Sequence, residues 1–169
     1  MNQYSGDITK IAYPPGCVNI IPQVCNNIGK YGAGLSGSLA TKWPIVRERY
    51  SEWVGRQGKG SSGPYALGQI QWVNVEPNVA VVNMVAQNGV RNASNPKPIK
   101  YKHLEMCLIR LFGMTSVLTS RYADGHFKIW CPQIGAGLAG GDWQKIQGMV
   151  AHWFDRPEFE LNIIYYEAN

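Results

Sequence analysis

No stretch of this chain approaches the roughly 18 consecutive apolar residues of a membrane span, and its start, Met1-Asn2-Gln3-Tyr4-Ser5-Gly6-Asp7, has neither the basic nor the apolar region of a secretory signal. A cytoplasmic protein with no membrane partner is the expectation. The four cysteines, Cys17, Cys25, Cys107 and Cys131, show no CxxC spacing, and three stand in apolar stretches where a thiol acts as a small hydrophobe. His103, His126 and His152 lack the mutual spacing of a metal site, so neither metal nor cofactor is expected. There is no Gly-x-Ser-x-Gly nucleophile elbow. A P-loop is missing too, since Gly58-Lys59 has Trp53 where the first glycine belongs and Gly60 where Ser or Thr should hold magnesium. Charged residues make up only 16% of the chain, and its basic side chains form no Lys/Arg block.

What is present is the material of a core. Of 169 residues 45% are hydrophobic, with six Trp, nine Tyr and four Phe, which excludes a disordered chain and suits a single domain over residues 1–169, expected to be a monomer. The net charge of +5 favours an anionic partner without naming it. Nucleic acid, a phosphorylated metabolite and a simple solubility effect stay open on charge alone.

The periodicities predict, after a weak strand at Asn2 to Ser5, a buried strand from Cys17 to Cys25. Pro22 suggests a bulge or a sheet edge there. Trp43, Val46, Tyr50 and Trp53 carry helical spacing within Leu35 to Trp53, read as one helix or two, with Pro44 where a helix can restart. Gln57 to Pro64 reads as a surface loop. Leu67 to Val75 and Val79 to Ala86 read as strands joined by the turn Glu76-Pro77-Asn78. A helix is expected around Leu104, Leu108, Leu111 and Thr115, then a strand from Phe127 to Cys131. Asp142 reads as the start of a helix through Trp143, Ile146, Val150 and Trp153, and Leu161 to Tyr166 as the last strand. Apolar strands alternating with amphipathic helices predict an α/β fold, a three-layer α/β/α sandwich around a mixed, mostly parallel sheet.

One hexapeptide pattern, GAGLxG, occurs twice. Gly32-Ala33-Gly34-Leu35-Ser36-Gly37 and Gly135-Ala136-Gly137-Leu138-Ala139-Gly140 both come after a predicted strand and precede a predicted helix. Glycines there let backbone N–H groups approach an anion, and the adjoining helix start adds partial positive charge. Two such loops can grip the two phosphates of a pyrophosphate. A nicotinamide-dinucleotide reading fails, because Glu48 and Glu52 lie within a helical pattern and not at a strand end where the ribose-binding acid belongs. Asn26 and Asn27, at the end of the first long strand, suit either a sugar hydroxyl or an Asx turn. Asp7 suits either an adenine amino group or a turn cap.

Together these residues make the chain resemble a macro domain, the α/β/α module that binds ADP-ribose. Gly6-Asp7-Ile8-Thr9 is similar to that family's GDI motif. Val24 to Gly34 resembles its first phosphate loop, and Pro132 to Trp143 its second. Asn83 to Gly89 with Lys97 to Tyr101 resembles a phage and bacterial branch close to the ADP-ribose 1''-phosphate phosphatases and ADP-ribosyl-ester hydrolases. The resemblance implies that Asp7, with Ile8 beside it, binds adenine, and that Asn26, with Asn27 and Gln87, serves the distal ribose and the chemistry. It implies that Gly32, Ala33, Gly34, Leu35 and Ser36 hold the diphosphate with Gly135, Ala136, Gly137, Leu138, Ala139 and Gly140. Either Tyr165 or Tyr166 packs by the adenine, since alternation puts them on opposite faces.

The chain departs from the resemblance where a base should stand. Relatives that cleave esters carry a Lys in the segment matched by Ala86-Gln87-Asn88 and an acid at Ala139 or Gly140, while phosphatase relatives carry a His at Gln23 or Asn88. Three readings are left. The first is a slow phosphatase for ADP-ribose 1''-phosphate, or a hydrolase for a related derivative. The second is a non-catalytic ADP-ribose-binding module. The third, not favoured, is a hydrolase that removes ADP-ribose from nucleic acid.

Overall fold

A computed structural model describes residues 1–57 and 66–167, so the loop expected from Gln57 to Pro64 lies, past Gln57, outside the described residues. The strands are β1 (Asn2–Gly6), β2 (Val18–Asn26), β3 (Ile70–Glu76), β4 (Val79–Gln87), β5 (Phe127–Pro132) and β6 (Phe159–Tyr166). The helices are α1 (Gly34–Lys42), α2 (Ile45–Gln57), α3 (Tyr101–Thr119) and α4 (Trp143–Phe154), with a short 3-10 turn over Ile8–Lys10. The span expected as one helix or two is two, parted at Trp43-Pro44. None of the described helices is long and apolar enough to cross a membrane.

The sheet order is β1-β6-β5-β2-β4-β3, parallel except for the β3–β4 hairpin. Neighbouring residues on each strand face opposite layers. Ile20, Val82 and Ile163 pack with Leu104, Leu108, Ile146 and Val150 of α3 and α4. Their neighbours Ile21, Val81 and Ile164 pack with Leu39 of α1, Val46 of α2 and Trp43 between the two helices. This is the expected three-layer sandwich. The near-continuous apolar runs of β2 and β4 reflect burial on both faces.

Pro22 departs from expectation. It lies in a central strand and not at a sheet edge, and the irregularity in β2 falls later, between Cys25 and Asn26. The sheet tolerates it because the ladder between β2 and β5 runs only from Val18 to Ile20, so the missing proline N–H stands past the end of that ladder. Beyond Ile20 the β2–β5 pairing has ended. The chain leaves β2 for α1 on one face and β5 for α4 on the other. That is the geometry in which open α/β sheets form a ligand crevice at their carboxyl ends.

Cys25, Cys107 and Cys131 are buried, and burial pushes the Cys107 thiol up to about 12 and the other two higher. Alkylation of the native protein at pH 8 should therefore modify Cys17 alone, against four sites after unfolding. More than one rapid adduct by mass spectrometry would contradict this burial.

Candidate functional site

The carboxyl ends of β1, β5 and β6 and the start of α1 surround a cleft of about 340 Å³ lined by Gly6, Asp7, Ile8, Gly34, Leu35, Ser38, Pro132, Gln133, Ile164 and Tyr166. Five of these, Asp7, Ile8, Gly34, Leu35 and Tyr166, are residues singled out in the sequence. Pro132 and Gln133 open the second loop. Ile164 shares the strand face of Tyr166, and Ser38 lies one helical turn past Gly34, so spacing from recognised residues could have found both. A larger cavity of about 460 Å³ lies on the other side of the first loop, between α1 and α2, and holds only Gly32 of the expected set.

Asp7 caps the 3-10 turn. Its Oδ1 accepts from the Thr9 N–H at 2.9 Å and the Thr9 hydroxyl at 2.7 Å, and Lys10 Nζ stands 3.9 Å from Oδ2. Those Thr9 hydrogen bonds, with Lys10 behind them, hold the carboxyl below its ordinary value. Asp7 is thus a turn cap that also lines the cleft as an anion. Of the two tyrosines, Tyr166 is 68% exposed and lines the cleft. Tyr165 is on the α4 side, its hydroxyl donating to Gln147 Oε1 at 3.0 Å and its ring set edgewise on Trp143.

The two hexapeptides fold differently. In the first, Ala33 is the α1 N-cap without a side-chain cap bond, and Gly34 opens the helix at φ +56°. Ser38-Leu39-Ala40 carry the helix onward past Gly37. In the second, the Gly140 N–H donates to Gly137 O and the Gly141 N–H to Gly135 O, so the hexapeptide closes on itself and α4 starts only at Trp143. The cap of α4, Asp142, accepts from the N–H groups of Gln144 and Lys145. The amides at the start of α1 are therefore open to a ligand, whereas those of α4 are partly satisfied by a carboxylate. Both loops precede helices as expected, the first running straight into α1 and the second reaching α4 through the expected cap Asp142.

Among the described residues, the N–H groups of 32 to 36 and of 135 to 139 donate to no protein acceptor. The two runs are close together, since a Cβ placed on Gly34 would lie 3.8 Å from Leu138 Cδ1. Leu138 is 55% exposed, while Ala139 is buried with its carbonyl accepting from the Ile99 N–H. The Ser36 hydroxyl points away from the loop surface and donates to Gln23 Oε1 at 3.0 Å.

Asn26 adopts the Asx-turn alternative. Its Oδ1 accepts from the N–H groups of Ile28 at 3.0 Å and Lys30 at 3.1 Å, and its Nδ2 donates to Lys30 O. The Tyr50 hydroxyl donates to Asn26 O at 2.8 Å, with Oδ1 at 3.2 Å. Asn26 is buried and holds the shape of the first loop. Asn27 links strand ends, donating to Asn88 Oδ1 and accepting from the Gly89 N–H, and Gln87 Nε2 donates to Gly89 O. Gln23, which stands out in the sequence only as a missing histidine, is fully buried. Its Nε2 donates to Tyr31 Oη and Asn83 Oδ1, anchoring the loop to the sheet. No group of three or more His, Cys, Asp or Glu able to hold a metal ion occurs among the described residues.

No protein-family profile matches the chain. Among curated proteins it is similar to an ADP-ribose 1''-phosphate phosphatase of Candida albicans, 23% identical over 167 residues, covering 97% of this chain and 100% of that protein. A second ADP-ribose 1''-phosphate phosphatase, from Lodderomyces elongisporus, is 21% identical over 159 residues, 94% of this chain and 95% of that one. Among solved structures, a Bacteroides thetaiotaomicron protein of unknown function superposes with TM-score 0.81 at 29% identity, covering 97% of this chain and 96% of its own. A macrodomain protein from Streptomyces coelicolor gives 0.74 at 25% identity over 99% of both chains. Thermosipho africanus DarTG in complex with ADP-ribose gives 0.69 at 12% identity, over 97% of this chain and 41% of that one.

Proposed function

We propose that this chain, a macro domain by sequence and fold, binds ADP-ribose in the cleft at the carboxyl ends of β1, β5 and β6 beside the start of α1 and hydrolyses an ADP-ribose derivative, with ADP-ribose 1''-phosphate as the substrate. The observation that carries this reading is the paired runs of open amide donors beside the cleft. Asp7 accepts from the adenine amino group while its other oxygen stays with Thr9, and Tyr166 covers the ring. The diphosphate lies across the amides of residues 32 to 36, where the α1 dipole favours negative charge, and those of 135 to 139. The distal ribose then reaches the end of β2.

Hydrolysis of ADP-ribose 1''-phosphate adds water to phosphorus, breaks its bond to the ribose oxygen and releases phosphate. The protein's contribution is positioning and the stabilisation of developing charge by backbone N–H groups. Asn26 acts here by holding the first loop, because its carbonyl and amide are both engaged within it. The lack of a base in contact with the scissile bond makes turnover slow, by about 10²–10⁴-fold against a site that has one. The test is release of inorganic phosphate from ADP-ribose 1''-phosphate under single-turnover conditions. Binding with no release would favour the second reading, a non-catalytic ADP-ribose-binding module, for which the engagement of Asn26 also speaks.

Gly137→Val isolates the second loop. A Cβ on Gly137 meets nothing within 4 Å and its φ is not left-handed, so the fold tolerates the substitution. ADP-ribose affinity should fall by about tenfold or more as the side chain covers neighbouring amides, with the melting temperature unchanged. Unchanged affinity would remove this loop from the site.

A further inference from the structure

Beside the second loop, Lys97, Lys100 and Lys102 stand at the start of α3 and Lys145 in the first turn of α4, all exposed. Among the described residues none of the four takes part in an ion pair. The acids of these two helix starts are engaged elsewhere, Asp142 on the amides of α4 and Glu105 as acceptor from Trp153 Nε1 at 2.8 Å. Two of the lysines lie against one aromatic ring, with Lys145 Nζ 4.1 Å and Lys97 Nζ 4.9 Å from the centre of Tyr101. The ring is fixed by its hydroxyl, which accepts from the Asp142 N–H at 2.9 Å. That bond first, and then Lys97 and Lys145 nearby, hold the phenol below its ordinary value.

This cluster borders the site. A Cβ on Gly140 would lie 2.9 Å from Pro96 O and 3.3 Å from Lys97 Cα, so the segment carrying Lys97 packs directly on the second loop. The loops themselves offer only backbone dipoles. A diphosphate suits them, whereas a further phosphate monoester, carrying up to two more negative charges, calls for full cations at the rim.

We propose that Lys97 and Lys145, parked on Tyr101, form a phosphate-binding rim that selects ligands bearing a phosphate monoester beyond the diphosphate. The inference rests on the functional reading above and assigns its specificity to residues outside the two loops. On binding, the ammoniums leave the ring face for the phosphate oxygens, and the ring gives each lysine a low-cost resting position in the free protein.

The experiment is displacement of a fluorescent ADP-ribose by ADP-ribose and by ADP-ribose 1''-phosphate, read before turnover, for the parent, Lys97→Gln/Lys145→Gln and Lys97→Arg/Lys145→Arg. The parent should prefer the phosphorylated ligand. The double Gln variant should lose about tenfold for that ligand and less than about twofold for ADP-ribose. The Arg variant should retain the preference, and added salt should shrink it. The rim is overturned if the Gln variant weakens both ligands equally or neither, with ADP-ribose still bound by the parent. A parent that binds neither ligand overturns the functional reading itself.

Discussion

Gly34→Val should lower ADP-ribose affinity by about a hundredfold or more in a protein that still folds. Gly34 opens α1 with φ +56°, a region β-branched residues avoid at a cost of about 1–3 kcal/mol. It also lines the cleft, where the new side chain would meet Leu138 and stand over the first run of open amides. Relief of the backbone strain moves the loop, and lack of relief leaves the methyl groups in the ligand's path. Both outcomes remove binding. Circular dichroism with a calorimetric titration checks the two parts, and a folded variant with parental affinity would contradict the position assigned to this loop.

Asn26→Ala should abolish turnover and also lower the melting temperature, by about 5–10 °C. The substitution leaves the N–H groups of Ile28 and Lys30 and the carbonyl of Lys30 without their partner, a loss of about 2–3 kcal/mol for a side chain buried at the end of β2. The stability loss separates two roles. A residue that only touches the ribose would reduce turnover and leave the melting temperature alone, and that result would contradict the loop-holding role given to Asn26.

Much of this molecule is legible in its sequence because burial imposes a period on it. The apolar pairs Ile20-Ile21, Val81-Val82 and Ile163-Ile164 mark strands covered on both faces, and α3 and α4 show their inward faces in the spacing of Leu104, Leu108 and Leu111 and of Ile146 and Val150. The start of α4 at Asp142 is equally local, set by one carboxylate and two amides. Pro22 is harder to place. Whether a proline marks a sheet edge depends on where a neighbouring strand stops pairing, and β5 lies more than a hundred residues away.

Duplication of the hexapeptide overstates the symmetry of the site. The first copy runs into helix-forming Ser38-Leu39-Ala40, the second into Gly141-Asp142. Gly140 at φ +73° turns the chain before a helix can start. Asn26 and Gln23 illustrate a further limit, since a side chain reads as functional or structural only once its partners are known. Tyr50 and Asn83, which engage them, are distant in sequence. The pairing of Lys97 and Lys145 on Tyr101 joins two helix starts and has no sequence signal.

Central to the proposed function is a cleft that grips a diphosphate with backbone amides and an adenine with Asp7 and Tyr166. Calorimetric titration of the parent protein with ADP-ribose, repeated with Asp7→Ala, tests it most directly. Micromolar binding to the parent at one site is expected, with a loss of about tenfold or more in the variant. No heat of binding at millimolar ADP-ribose, or equal affinity in the two proteins, would contradict it.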